Sequence, residues 1–382
     1  MKTSRFSARS IILALTACFF LLAFSSCGTA APAVQEDGVR PPPVVTDLSG
    51  FAQQVQVSVN GGALRGYNNL AAALDSIGGN AGIFHVFIGE DQDIAPRQFA
   101  AANQNVTLIG VGGERRIRLS SNGSMFIVGR TEQPNVNTIA LTIGENITLV
   151  GRSADGHGGE NNNAPLVAIR RHASFTMLPG SKITGNTSTS NTFFSAGVQG
   201  NIGGRFIMKG GIITGNHAIG THARVAGGLF VTSDVNLRTQ VHVAGEITGN
   251  TGRSGDVLFL HGNVTTNTLA GNGTIGELFI HSNNNADSGF IILAQDWTGS
   301  IGTINFGGGL VAGTQSLDAV TGWWNASNVV MRAETGRTLT EADFQGITMG
   351  IIRSVNGDDS RPVSQTHRLA LGAGNTVRLV AN

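Results

Sequence analysis

Several short stretches of this chain carry residue types that could do chemistry. Gly156-His157-Gly158, Asp358-Asp359 and Arg116-Ile117-Arg118 supply an imidazole, paired carboxylates and a basic pair. Inverting hydrolysis of a glycosidic bond uses two carboxylates facing each other about 6.5–9.5 Å apart, one as acid and one as base. Asp155, His157 and Glu160 lie in the polar stretch "SADGHGGENNN" (153–163), whose oxygen and imidazole donors could hold a metal. Between residues 161 and 260 the only carboxylates are Asp234, Glu246 and Asp256, with Arg224, Arg238 and Arg253 nearby in sequence. Calcium-assisted proton abstraction needs several carboxylates on adjacent elements plus a base, so these read first as solvated turn residues. His261 and His281 occupy like places in "LFLHGN" and "LFIHSN" and are expected to stack facing outward, as a surface ladder or a metal or pH site. There is no nucleophile elbow, phosphate loop, dinucleotide fingerprint or zinc spacing. The sequence therefore nominates no catalytic, cofactor or metal residue.

Whether any of these groups meet depends on the elements that carry them. "ITGN" recurs at 183–186, 213–216 and 247–250. "ASFTMLPGSKITGN" (173–186) is echoed by "GRFIMKGGIITGN" (204–216), and "NVTLIGVG" (105–112) by "NITLVGRS" (146–153). A second series, "LFVTSD" (229–234), "LFLHGN" (258–263) and "LFIHSN" (278–283), interleaves with the first. Self-similarity at 20–34 residues indicates a solenoid. The units are short, Gly-laced and β-branched, which rules out paired amphipathic helices and favours stacked short strands about 4.8 Å apart. In ITGN, Ile is expected to point into the core and Thr outward. Gly and Asn make the corner, because both adopt positive φ most easily, and Asn in register can also form a ladder. "YNNLAAALDSIGGN" (67–80) is the one clear helix signal, with Asn68 as N-cap, Leu70, Ala73, Leu74 and Ile77 on one face, and Gly78 as the stop. "IFHVFIG" (83–89) reads as the strand that follows.

"F-x-M-x-G-G-x-I-T-G-N" together with "G-G-L-F-V" resembles the repeats of right-handed parallel β-helix (pectin-lyase-like) surface proteins. It is similar in particular to spirochaete-type repeat lipoproteins and to polymorphic outer-membrane-protein repeats, over residues 105–283. The resemblance implies an all-β, right-handed parallel β-helix with a short N-terminal capping helix. Polygalacturonase-like members combine Asn-Thr-Asp, Asp-Asp, Gly-His-Gly and Arg-Ile-Lys in that order. Here the order differs and Asn-Thr-Asp is missing. At 20–34 residues per coil, about ten to thirteen coils and a rod of about 50–60 Å are expected.

The N-terminus reads as an export signal: Lys2, Arg5 and Arg9, then "IILALTACFFLLAF", then "FSSC". This resembles a lipoprotein lipobox, with Phe24 in place of the usual aliphatic residue, and implies cleavage before Cys27 and acylation of its thiol. An ordinary secretory signal cut after "GTAA" is the alternative. The only other cysteine, Cys18, falls inside the signal, so no disulfide is expected. Residues 1–26 are assigned to the signal peptide, 27–52 to the acylated Cys27 and a Pro/Ala/Gly-rich tether, and 53–382 to the β-helix domain. That domain divides into an N-terminal cap (53–104), repeat coils (105–283), and divergent coils with a C-terminal cap (284–382).

Of 382 residues, 54 are Gly and only 13% are charged, with a net charge of +1 and Lys only at 2, 182 and 209. No basic face is available for nucleic acid. Trp297, Trp323 and Trp324 all lie in the divergent part. They are expected to cap or fill the core rather than form a sugar platform. The expected function is a lipid-anchored module at the outer membrane or cell surface, adhesive or architectural and without catalysis. It would meet the membrane through acyl chains and a glycan or partner protein along the rod. A polysaccharide lyase or hydrolase is the alternative.

Overall fold

The computed structural model describes residues 45, 47–50, 52–130, 139–191, 194–221, 224–233, 240–261, 267–282, 290–308, 329–354, 360–364 and 367–382. The alternation in the repeats is an alternation of burial. In Ala173–Met177 and Arg205–Met208 the side chains of Phe175, Met177, Phe206 and Met208 are fully buried, while Thr176 and Ile207 between them are half-exposed. The two strands are parallel, with Phe175 opposite Phe206 and Met177 opposite Met208, so each side chain packs on its counterpart one coil away. The two Phe rings lie 6.3 Å apart at 30°. Stacking like on like lets one apolar column run the length of the domain.

The result is a parallel β-helix whose coils have three strand-bearing faces. Face 1 takes, in chain order, Gly82–Ile88, Gln104–Gly110, Ile139–Ile143, Ala173–Met177, Arg205–Met208, Gln240–Val243, Asn267–Ala270, Ile291–Leu293 and Val329–Ala333. These number coils 1 to 9 among the described residues. Face 2 carries Arg115–Leu119, Ile147–Val150, Lys182–Thr184, Ile212–Ile213 and Glu246–Ile247 in coils 2 to 6; face 3 carries Phe126–Val128, Val167–Ile169, Val198–Gly200, Leu229–Ser233 and Val257–His261 in the same coils. Nine coils at about 4.8 Å make a rod of roughly 40 Å, shorter than the ten to thirteen coils expected. The difference has two sources. Coils are long in the middle, with a step of 35 residues from Phe206 to Val241 against 22 from Phe84 to Val106. The C-terminal segment does not coil: Thr376–Ala381 turns back antiparallel on Val329–Ala333 and pairs with His367–Gly372, and Ser360–Pro362 turns back on Thr348–Ser354.

At the other end the helix Leu70–Ile77 covers the first coil. Leu70, Ala73, Leu74 and Ile77 are buried in the common core, and Gly78 ends the helix at φ 47°. The N-cap is Asn69 rather than Asn68, because the Asn69 side chain accepts from the Ala72 N–H at 2.8 Å. Gln92 of coil 1 accepts from the Leu70 N–H at 2.8 Å, which fixes the helix to the coil it covers.

The ITGN isoleucines form one interior column on face 2. Ile117, Leu149, Ile183, Ile213, Ile247, Ile275 and Ile301 are in register, and all are buried. Of the corner residues, only Gly adopts positive φ: 71°, 64° and 67° at Gly185, Gly215 and Gly249. The following Asn residues face inward and are buried instead. Two echoes do not stack as expected. Asn105–Gly110 lies on face 1, whereas Ile147–Val150 lies on face 2. In the second series, Leu229 pairs with Val257 and Leu258 with Phe279, each one residue off the sequence match. What selects these registers is which residues face inward, and the similarity of letters follows only loosely.

Candidate functional site

Among the described residues, the candidate clusters do not come together as a catalytic group. In the 153–163 loop, Glu160 is taken by Arg152 (3.0 Å), whose other Nη donates to the Ser120 carbonyl at 2.8 Å. A ring nitrogen of His157 lies 3.1 Å from the Leu119 carbonyl, and Asp155 is exposed. Both anchors fasten the loop to coil 2. Among the described residues no group of three His, Cys, Asp or Glu side chains is placed to hold a metal. Arg118 pairs with Asp91 (2.5 Å) and lies 3.8 Å from Asp93. Burial alone would raise the Asp91 carboxyl, but hydrogen bonds from the Arg116 N–H and from Arg118 outweigh it and hold its pKa low. Cys27, Asp234, Arg238, Trp323, Trp324, Asp358 and Asp359 lie outside the described residues. Trp297 is buried in the core. Arg253 donates to the Thr221 carbonyl, and burial lowers the pKa of Arg224.

Two expectations are overturned. His261 and His281 are not stacked: His261 is opposite Ser233 and Leu260 is opposite His281. The one-residue slip separates the two imidazoles, and His281 lies beside Phe279 on the side of the strand away from the core, where it is covered and 1% exposed. Asp256 is no solvated turn residue either, being 4% exposed. One of its oxygens accepts from the Asn250 backbone N–H (2.7 Å) and side-chain amide (2.9 Å), and the other from the Glu277 N–H (2.9 Å). Burial is the larger influence and pushes its pKa up, although all three donors favour the charged form.

Asp256 ends a buried ladder that runs through the corner between faces 2 and 3. Asn162, Asn186, Asn216 and Asn250 precede it. In the first three steps the corner N–H of one coil donates to the side-chain oxygen of the next, Arg152 to Asn186 (3.3 Å), Asn186 to Asn216 (3.3 Å) and Asn216 to Asn250 (3.2 Å), and the Asn250 N–H then donates to Asp256 of its own coil (2.7 Å). The amides donate back to the preceding coil's Ile carbonyls, Asn216 to Ile183 (3.2 Å) and Asn250 to Ile213 (2.8 Å). Backbone groups stranded where the chain leaves the strand are thereby satisfied inside the protein. This ladder was readable from the repeated Asn; its acidic end was not, because Asp256 stands six residues from Asn250 on a different strand approach.

Among the described residues, a long surface groove with charged side chains runs along face 2. Its volume is about 710 Å³, and it runs from Glu114, Arg116 and Thr148 past Lys182 and Ile212 to Glu246 and Thr274. Thr148, Lys182, Ile212, Glu246 and Thr274 form a single outward column, in register coil after coil. The groove was missed in sequence because these residues differ in type at each coil; only the ITGN register aligns them. Searches against protein-family models, curated proteins and solved structures found no match to this chain. The geometry alone therefore speaks to function. Glu114 accepts from the Thr148 hydroxyl at 2.9 Å and from Arg116 at 3.4 Å; with the Lys182 charge, these hold its pKa below the usual range. Glu246 sits four coils further on, roughly 19 Å along the axis.

Proposed function

We propose that this chain is a non-catalytic binding or architectural module of the cell envelope, built on a right-handed, pectin-lyase-like β-helix and carried by an acylated Cys27 at the outer membrane or cell surface. The observation that carries the reading is the groove on face 2. It is long enough for several units of a polymer, yet its two carboxylates are separated by roughly twice the distance that glycoside hydrolysis tolerates. A glycan or a segment of a partner protein fits such a surface, with Lys182, Glu246 and the threonines as contacts. The export signal and tether support presentation of the rod away from a membrane.

A polysaccharide panel with and without Ca²⁺, read for unsaturated products, new reducing ends and retained ligand, tests the absence of catalysis. Retention without product is expected, and turnover lost on Glu114→Gln or Glu246→Gln would replace this reading with an enzyme. Membrane fractionation of wild type against Cys27→Ala tests the anchor. The variant is expected in the soluble fraction, and unchanged membrane association would remove acylation at Cys27 from the proposal.

A further inference from the structure

We infer that the groove on face 2 takes an extended peptide in the polyproline II conformation, bearing an acidic and a basic side chain three residues apart. This rests on the non-catalytic reading and narrows its ligand. Lys182, Ile212 and Glu246 are consecutive members of the outward column. Ile212 is 38% exposed, Glu246 is exposed, and Lys182 is half-exposed. Neither charge has an ion-pair partner among the described residues. The groove thus offers a cation, an apolar step and an anion in a line, with two coil steps of about 4.8 Å between the charges, or about 9.6 Å.

Polyproline II repeats every three residues at about 3.1 Å each, so side chains at i and i+3 share one face about 9.3 Å apart. A β-strand misses this spacing, because its same-face positions fall about 6.7 or 13.5 Å apart. An α-helix meets it only at i and i+7, and its carbonyls are already used. Polyproline II leaves its carbonyls free, and Asn146, Asn272 and Thr274 line the groove with donors. A neutral glycan would leave both charges idle, and a polyanionic one would meet Glu246.

Fluorescence anisotropy at low salt with two labelled peptides of equal composition, PPDPPKPP and PPDPKPPP, is the test. Exposed ion pairs contribute about 0.2–1 kcal/mol each, so up to about fivefold tighter binding of the first peptide is expected. Lys182→Glu should switch the preference to PPKPPKPP, and Glu246→Lys to PPDPPDPP, with unchanged circular dichroism showing that both variants fold. Equal binding of the two spacings, or unchanged preference in both variants, would overturn the inference. Binding of a glycan from the panel with none of the peptides would also overturn it, while leaving the non-catalytic reading in place.

Discussion

Coils 3 to 6 and coils 7 and 8 treat the same corner in opposite ways. In coils 3 to 6 the chain leaves the rod between faces 2 and 3, for 16 residues between Val150 and Val167 in coil 3. In coils 7 and 8 it does not leave at all: Thr274–Ser282 and Ser300–Gly308 are single nine-residue strands that serve both faces. In coils 4 to 6 a Gly at positive φ (Gly185, Gly215, Gly249) and a buried Asn manage the exit, and in coil 3 Gly151 and Arg152 take their places. Where it runs straight, Gly276 and Gly302 stand in the strand at the bend. A Cβ on Gly302 would meet the Gly276 carbonyl oxygen at 2.7 Å, and one on Gly276 would meet Asp256 at 2.4 Å. The difference shows that the Asn ladder belongs to the excursions. It stops at Asp256 because the next coil has no exit for it to line.

The register of the excursion coils can be broken most severely at Ile213. Ile213→Asp should cost at least about 4 kcal/mol, by placing a charge inside the column, whereas Thr214→Asp on the outer face should stay within about 1 kcal/mol. Equal shifts in thermal unfolding by circular dichroism would mean that the inward and outward assignments are wrong. Asn216→Ala comes next, at about 3 kcal/mol, because it strips partners from the Asn186 N–H and the Ile183 carbonyl. Loss of only a few tenths of a kcal/mol would demote the ladder to an incidental feature. Gly249→Ala should cost about 1–2 kcal/mol, since its φ of 67° is tolerated poorly by an L side chain. A neutral result in urea titration would show that the corner relaxes.

Acid sharpens the boundary between the two regions at Asp256. Its folded pKa is raised, so the folded state binds the proton more tightly than the unfolded state. Wild-type stability should therefore gain from this group as pH falls from its raised value towards the ordinary one near 3.8. In Asp256→Asn that gain is absent, so the wild-type advantage should widen between pH 7 and pH 4.5. A constant gap in unfolding free energy across that range would contradict the assignment. Glu160→Gln should matter least, at about 0.5 kcal/mol, because Glu160 is largely exposed in its pair with Arg152. A large loss there would make the 153–163 loop a structural keystone of coil 3.

The sequence announced the excursion coils more clearly than the straight ones. Ile183, Ile213 and Ile247 repeat because they share an interior column, and Gly185, Gly215 and Gly249 repeat because one dihedral recurs. The helix Leu70–Ile77 was legible from its apolar face. What stayed hidden was register on face 3, where Phe230, Leu258 and Phe279 form a column on the side of the strand opposite the core. With apolar residues on both sides, alternation no longer distinguishes in from out, and a one-residue slip reads as well as the true pairing. The expected stacking of His261 on His281 failed for that reason. The groove was hidden differently: Lys182 and Glu246 are 64 positions apart in sequence and become near neighbours only through two coil steps.

The direction of the ladder sets where this protein can lengthen by duplication. Asn216 takes a hydrogen from the coil before it and presents its own N–H to the coil after it, so an inserted copy of the segment between Asn216 and Asn250 would find a matching donor behind and a matching acceptor ahead. Beyond Asp256 no such copy fits, because a carboxylate only accepts and the following strand crosses the corner without leaving it. The ladder thus accommodates an added coil upstream of Asp256, on the stretch that carries the charged groove, and offers no such place in the closing coils.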